Sequence, residues 1–461
     1  MLTCMGNRAR SRWALAAVTT ALIACAEPPA VAASPDGRVQ ALEGSWLAAT
    51  GIRIDAPDRL RSKYAPAFQR VTRLAQGGAD EPPVKLRIEL LRDSSDDAAR
   101  PGWVGRAESF RLGVNADARR VQISSATPAG IVQGLNRLAR ELRAGDGKLR
   151  AGEVIDWPAH AIRGVHLTLR SVTEPMIKRA LDEASLAGMN LLAVQMADVF
   201  RLDSPAVQPR RDALSKQQLS RILAYARGSG FKIVPEVKLL SHQEKFFKDR
   251  YPELMYNQRT YDPRIDKVYE LAFEYLDEVI ELFDPYAIHI GHDEIKGFTR
   301  RQRRKIFKPG EQALPPELFL QDVQRVYEYL EGRGVEVWMW GDMLVWPDEF
   351  PTMNPRHLHG NEAYAAIRPG IPRGIVIVDW HYIDEQPEYP TLTTFVEEGF
   401  RVVGAAWKRE QTIRNFSAYA AANPDGVEGM LATTWFHLRR REWETMERII
   451  RISGNAFWYA D

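Results

Sequence analysis

Cysteine is almost missing from this chain. Its 461 residues include two, Cys4 and Cys25, so everything after position 25 folds without an internal disulfide. An excess of charge of one sign is missing too. Lys and Arg number 62 against 60 Asp and Glu, a net charge of +2, which argues against a dedicated nucleic-acid binder. The one local excess, "RRQRRK" from Arg300 to Lys305, reads as a solvated loop or helix face, with contact to an anionic glycan or lipid head group as the alternative. The apolar run Trp13 to Ala24 is too short to span a bilayer comfortably.

What is present describes an ordinary globular protein: 45% hydrophobic and 26% charged residues, in a chain long enough for two domains. Residues 1–33 read as a leader and tether. Arg8, Arg10 and Arg12 flank the apolar run, which ends in "LIAC" at Cys25, a pattern similar to the bacterial lipoprotein signal box, in which the cysteine is lipidated. "AVA" before Ala33 offers a competing cleavage site. The expectation is an exported protein, periplasmic or held at the outer membrane of a bacterium by a lipid on Cys25, with no other membrane contact.

Residues 38–157 carry the pattern of a small α/β domain. "VKLRIELL" alternates like a half-buried strand, "SFRLGVNADARRVQISSA" reads as two strands around a turn, and a helix begins at Thr127 and Pro128 with Ile131, Leu135, Leu138 and Leu142 on one face. From 158 to 461 the rhythm changes. "IRGVHLTL", "NLLAVQM", "FKIVPEV", "YAIHIG", "VEVWMW", "GIVIVDW", "RVVGAAW" and "VEGMLATTW" alternate with helical stretches such as Glu174 to Ala187 and Pro316 to Gly332. Eight strands interleaved with helices predict an α/β fold, a (β/α)8 barrel of the TIM type, whose working residues lie at the C-terminal ends of the strands. Polar residues cluster at those ends: Asp198, His242, Asp293 with Glu294, Asp342, Asp379 to Asp384, and Trp435.

The pair Asp293–Glu294 follows the fourth strand. Consecutive side chains diverge from α-carbons about 3.8 Å apart, so two neighbouring carboxylates can serve two points of one ligand. Plainer readings exist for the other candidates: His242 as a hydrogen-bonded loop histidine, Asp198 as a helix cap, Arg163 as a member of a structural ion pair. Of the two tryptophans in "WMW", Trp340 is assigned to the pocket and Trp338 to the helix layer, while Trp346 and Trp407 are left as packing or rim.

With these residues in view, the region resembles the catalytic domain of family 20 glycoside hydrolases, the β-N-acetylhexosaminidases. His289, Gly291, Asp293 and Glu294 match the family's His-x-Gly-Gly-Asp-Glu; "IRG" supplies Arg163, "GMNLLAVQMAD" Asp198, "IVPEVKLLSH" Glu236 and His242, "WMWGD" Trp340, "HYID" Tyr382 and Asp384, and "LATTW" Trp435. The N-terminal block is similar to the accessory domain that precedes many such barrels. The resemblance implies exo-hydrolysis of terminal β-linked N-acetylglucosamine or N-acetylgalactosamine from an oligosaccharide or glycoconjugate, with no metal and no cofactor. It also implies substrate assistance. Glu294 is then the general acid and base, and Asp293 orients the 2-acetamido group, whose oxygen attacks the anomeric carbon. An ionised Asp293 is expected to help Glu294 keep its proton. Arg163 would hold sugar hydroxyls, Tyr382 would bind the acetamido oxygen, tryptophans would wall the sugar, and His242 with Asp198 would form a relay behind Glu294.

Departures from the family pattern are specific. His292 replaces the second signature glycine and is expected beside the acids, as a pocket or subsite contact. Lys238 stands where the family has Asp, Leu240 and Ser241 replace Pro and Gly, and Thr168 takes the place of a usual aspartate. Two other readings remain. One takes His289, His292, Asp293 and Glu294 as divalent-metal ligands, although His292 does not readily share a face with His289 and Asp293. The other is a non-catalytic glycan-binding lipoprotein on the same fold.

Overall fold

The computed structural model describes residues 37–49, 51–75, 82–91, 102–243, 246–296, 307–438 and 440–461. The leader with Cys25 and the basic cluster at 300–305 lie outside them. No helix among the described residues is long and apolar enough to cross a membrane.

Eight strands come first: β1 Val39–Ala41, β2 Trp46–Ala48, β3 Ile52–Asp55, β4 Val84–Leu90, β5 Phe110–Asn115, β6 Arg120–Ser125, β7 Lys148–Arg150 and β8 Gly152–Asp156. Six of them form one sheet in the order β1-β8-β5-β6-β4-β3, and β2 pairs with β7. The helix Pro128–Ala144 packs against this sheet. Thr127 caps it, its hydroxyl accepting from the Gly130 amide at 3.0 Å, which contributes about 1 kcal/mol.

The next eight, β9 Ile162–Thr168, β10 Leu191–Gln195, β11 Lys232–Leu239, β12 Ala287–Gly291, β13 Glu336–Trp340, β14 Val376–Trp380, β15 Arg401–Ala406 and β16 Val427–His437, are parallel and close into a barrel in chain order, β16 returning to β9. Helices separate most of them, so the fold is a (β/α)8 barrel. Side chains alternate between two layers. Leu167, Val194, Ile288, Ile290 and Ile377 point out into the helix core, while Ile162, Leu191, Ala193, Val234, Ala287, Val376 and Leu431 fill the interior. Trp338 is interior as well, and 0% exposed. Residues two apart share a face of a strand, so Trp338 and Trp340 both point inward, and Met339 between them packs outward. The assignment of Trp338 to the helix layer is thereby corrected.

Arg163 is the second residue of β9, so it leaves the barrel at the bottom, away from the mouth, and points outward. Its guanidinium donates to the carbonyls of Gly188 and His160 at 2.8 and 2.6 Å, pairs with Glu108 of the N-terminal region, and lies 5.0 Å from the Trp458 ring. Trp458 itself belongs to the core cluster of the N-terminal sheet. Arg163 therefore clamps the two regions together and holds no sugar; its plainer reading as an ion-pair member is the one the structure realises. Replacing it strands a mostly buried carboxylate, at a cost of about 3–5 kcal/mol. The expected outcome for Arg163→Ala is a lowered melting temperature with KM unchanged on the remaining folded enzyme; a raised KM at undiminished stability would reverse this assignment.

Candidate active site

At the top of β11 and β12 the ladder slips: Glu236 pairs with His289, then Leu239 with Gly291. Beyond the slip the backbone turns left-handed at Leu240 (φ 57°), His242 (φ 57°), Gly291 (φ 83°), His292 (φ 69°) and Glu294 (φ 50°). For each non-glycine residue this conformation costs roughly 1–2 kcal/mol. Gly291 is needed where it stands, since a β-carbon there would meet the Val237 carbonyl oxygen at 3.1 Å.

His292 points away from the site, continuing the outward parity of Ile288 and Ile290. Its ring is 0% exposed, with Nε2 2.8 Å from Asp322 Oδ2 and Nδ1 3.2 Å from the Ile290 carbonyl. Asp322 also accepts from the Tyr261 and Tyr269 hydroxyls at 3.0 and 2.7 Å. His292 is thus an anchor in the helix layer and neither narrows the pocket nor touches the substrate side of the acids. The same geometry dismantles the metal-ligand cluster, because His289 points into the barrel, where burial lowers its pKa to about 3, while His292 points out of it.

Asp293 does face the pocket. Its Oδ2 lies 3.1 Å from His242 Nε2, and its Oδ1 is 3.5 Å from the Ser241 hydroxyl and 3.8 Å from Lys238 Nζ. Burial alone would raise this carboxyl, but His242 and Lys238, with Arg259 behind them, outweigh it and hold Asp293 well below the usual carboxylate range. Glu294 is the more open of the two. Arg259 Nη2 reaches its Oε2 at 3.0 Å, Arg259 Nε donates to its carbonyl at 2.7 Å, and its amide donates to Asp342 Oδ2 at 2.9 Å. Asp342 is buried, and desolvation, with His359 opposing and Asp293 assisting, raises it to about 6.

Arg259 was not anticipated. It comes from a polar loop with no motif around it, and it places a positive charge on one side of Glu294 with Asp293 negative on the other. Its Nη2 also lies 2.7 Å from His242 Nε2. That single nitrogen either accepts from Arg259 or carries a proton for Asp293, so the three groups share one proton-dependent arrangement.

Below the acids lies a polar floor. Glu236, 0% exposed, accepts from Trp340 Nε1 at 3.0 Å and meets His166 at 2.8 Å and Lys238 at 2.6 Å. The walls are aromatic: Trp340, Trp380, Tyr382, Trp407 and Trp435 line a cavity of about 660 Å³ with the acids, His242 and Lys238, a volume suited to a small ligand. Trp435 Nε1 donates to the Tyr382 hydroxyl at 3.0 Å, and Thr433 is a second hydrogen-bond neighbour of that hydroxyl. Trp380 was overlooked, although its place as the last residue of β14 was readable; Trp407, left as rim, also lines the cavity.

Two further candidates lie off the wall. Asp384 is buried behind His357, bonded to that ring's Nδ1, to His381 Nδ1 at 2.9 Å and to the Asn354 amide at 2.6 Å. It fixes His357, which lines the cavity and whose Nε2 accepts from the Tyr382 amide at 3.2 Å. His357 with His359 forms a His-x-His pair that the reading of the sequence passed over. Asp198 pairs with Arg170 at 3.4 Å, and the partners drawn around His242 are Asp293, Glu294 and Arg259. The geometry therefore brings together Asp293, Glu294, His242, Trp340, Tyr382 and Trp435.

Residues 163–436 match the family model described as glycosyl hydrolase family 20, catalytic domain. Among curated proteins, the lacto-N-biosidase of Bifidobacterium bifidum is 22% identical over 416 residues, covering 85% of this chain and 34% of its own, and β-hexosaminidase A of Caenorhabditis briggsae is 22% identical over 219 residues, covering 42% and 39%. The chain thus spans between a third and two fifths of the length of these relatives. Among solved structures, the GH20 β-N-acetylhexosaminidase from Streptomyces coelicolor A3(2) superimposes with a TM-score of 0.65 at 16% identity, covering 93% of this chain and 91% of that one. The β-N-acetylhexosaminidase from Bacteroides fragilis NCTC 9343 gives 0.64 at 17%, covering 90% and 88%. These likenesses show the fold.

Lys238 is the departure with the most direct electrostatic effect, since it neutralises Glu236 and helps keep Asp293 ionised. Removing its charge lets the Asp293 pKa rise, so any step that needs the anion fails at a higher pH. For Lys238→Met, the acid limb of the kcat/KM profile is expected to move up, while Lys238→Arg leaves it close to wild type. A limb unmoved in the methionine variant would remove Lys238 from this role.

Proposed function

The chain belongs to glycosyl hydrolase family 20, and on that footing we propose that it hydrolyses terminal β-linked N-acetylglucosaminides or N-acetylgalactosaminides, using the substrate's acetamido oxygen as nucleophile. The observation that carries this reading is the anionic Asp293 set beside a tyrosine and tryptophan niche. Asp293 and Glu294 are the only carboxylates among the described residues lining the cavity. One oxygen of each lies, with a His242 nitrogen, inside a 4.8 Å cluster.

In the proposed reaction Glu294, at the open side, gives a proton to the leaving oxygen as the C1–O bond breaks. The acetamido oxygen forms the new bond to C1, and the positive charge spreads onto the acetamido nitrogen, whose N–H Asp293 accepts. Tyr382, its oxygen already holding the Trp435 donor, gives its own proton in a hydrogen bond to the acetamido oxygen. Trp340 and Trp435 enclose the methyl group and exclude water. Water then attacks C1 and Glu294 takes its proton. The bond from C1 to the acetamido oxygen breaks, and the β configuration is restored.

A second reading, release of a disaccharide, is favoured by one observation: neither Arg163 nor Asp384 reaches the cavity to fence the far end of a single sugar. Chain length of the released product, from oligosaccharides longer than two units, separates the two.

Aryl N-acetylglucosaminide and N-acetylgalactosaminide are the first substrates to test. Glu294→Gln and Asp293→Asn are each expected to lose about 10²–10⁴ in kcat. Fluorinating the acetamido methyl, which weakens its oxygen as a nucleophile, should depress kcat/KM progressively. Equal rates across that series, or cleavage of an unacetylated glycoside in preference, would sink the substrate-assisted step; binding without turnover would favour the non-catalytic alternative.

Export and anchoring through Cys25 also belong to this proposal, supported by the leader pattern. Labelled palmitate should enter the full-length chain expressed in a bacterium and be lost in Cys25→Ser; an unlabelled wild type would leave plain secretion or neither.

A further inference from the structure

A chain of buried polar groups runs from the end of β14 to a neighbouring loop and back. Asp379 Oδ1 is 3.3 Å from His381 Nε2, which also donates to the Thr391 hydroxyl at 2.9 Å. His381 Nδ1 meets Asp384 Oδ2 at 2.9 Å, His357 Nδ1 meets that same oxygen, and His357 Nε2 accepts from the Tyr382 amide at 3.2 Å. Asp379, His381, Tyr382 and Asp384 lie on the last turn of chain around the end of β14, whereas His357 comes from the separate turn Pro355–His357. The bonds between strands stop one residue earlier, with the His381 amide donating to the Ala405 carbonyl at 2.9 Å. The Tyr382 amide is therefore taken up by His357 where a neighbouring strand no longer offers a carbonyl.

Donor chemistry fixes the protons along this chain. A backbone amide only donates, so His357 Nε2 is bare. Burial would raise Asp384, but His357 and His381 hold it well below the usual carboxylate range, so it only accepts and the ring proton of His357 sits on Nδ1. Burial keeps that ring below its ordinary pKa against the pull of Asp384, and it stays neutral. His381 differs: burial lowers it, yet Asp379 and Asp384 outweigh burial and raise it to about 9, so it donates from both nitrogens. The same logic argues against an ion at His357, His381 and Asp384, although their ligand atoms lie within 4.8 Å of one another. A metal on His357 Nδ1 would leave the ring proton on Nε2, facing the Tyr382 amide proton.

Tyr382 is thus held by its backbone at His357 and by its hydroxyl at Trp435, with its ring 4.7 Å from Trp380 and 5.7 Å from His357 itself. Resting on the function proposed above, we propose that His357 is a positioning residue of the reaction: as the Nδ1–H tautomer it carries the hold of Asp384 to the Tyr382 backbone, and so sets where the phenol meets the acetamido oxygen. Asp384 then serves the substrate without touching it.

Two amides separate the two ends of the ring, since asparagine reproduces the Nδ1 donor and glutamine the Nε2 acceptor. On whichever aryl N-acetylhexosaminide the wild type cleaves, His357→Asn is expected to lower kcat about ten- to hundredfold, the cost of a group misplaced by about 1 Å, with a smaller change in KM. His357→Gln, which still accepts from the Tyr382 amide, should lose markedly less. In a Tyr382→Phe background the asparagine substitution should cost almost nothing further, because no phenol is left to place. Melting temperatures confine the comparison to folded variants. Neutron diffraction from wild-type crystals reads the tautomer without any substitution, with deuterium expected on Nδ1 and none on Nε2. A glutamine variant as impaired as the asparagine one, losses that multiply in the double variant, or deuterium on Nε2 overturns the inference while leaving the proposed hydrolase intact. A wild type that cleaves no N-acetylhexosaminide overturns both.

Discussion

The site depends on where the backbone goes after Ile290. A strand that kept alternating would carry Gly291 inward, His292 outward and Asp293 inward along a straight line, with Glu294 lost to the helix layer. Instead, positive φ at Gly291, His292 and Glu294 folds the chain over the barrel mouth, so that two consecutive carboxylates both face the cavity. Such a turn is unfavourable for histidine and glutamate and persists only if it is tied down elsewhere. The ties are visible: His292 in the buried Asp322, Tyr261 and Tyr269 network on one side, and the Glu294 amide and carbonyl held by Asp342 and Arg259 on the other. A glycine at this position, as in the family pattern, would take a left-handed backbone at no steric cost; here a side-chain anchor offsets the strain.

On that backbone the charges alternate in space. Glu236, Lys238, Asp293, Arg259 and Glu294 follow one another at 2.6, 3.8 and 3.0 Å where direct contacts join them, with His242 bridging Asp293 and Arg259. Each buried carboxylate has a cation beside it, which is what burial of charge requires. The consequence is a difference between adjacent acids: Asp293, enclosed by cations, is fixed as an anion, whereas Glu294 keeps one side open to the solvent. No long relay is needed for this, only the desolvated neighbours themselves.

The barrel was legible because parallel strands buried on both faces read as short continuous apolar runs, and each of the eight lies where such a run stands. The acids were legible because two charges at the end of a buried strand are costly to keep unless the chain uses them. What failed was direction. Arg163 lies on β9 at its bottom end and on its outer face, which the tripeptide "IRG" does not disclose; the strand's start and phase do. His292 was placed beside the acids because it neighbours them in sequence, although it shares the parity of Ile288 and Ile290, which point to the helix layer. Trp338 was misassigned against the period of two. Arg259 and His357 reach the site from loops, where no periodicity constrains position and contact is set by the fold as a whole.

The substituted positions belong together when read as charge. Where the resemblance leads one to expect carboxylates, this chain has the buried Thr168 and the ammonium of Lys238. Loss of one negative charge and reversal of another make the floor more positive than the family pattern implies, at a depth where an ammonium 3.8 Å from Asp293 is weakly screened. A floor of that sign stabilises Asp293 as an anion. Its own charge is in turn offset by Glu236, which Lys238 bonds at 2.6 Å. Glu236 therefore leaves the pair close to neutral from across the cavity, while its near, ammonium end still faces Asp293.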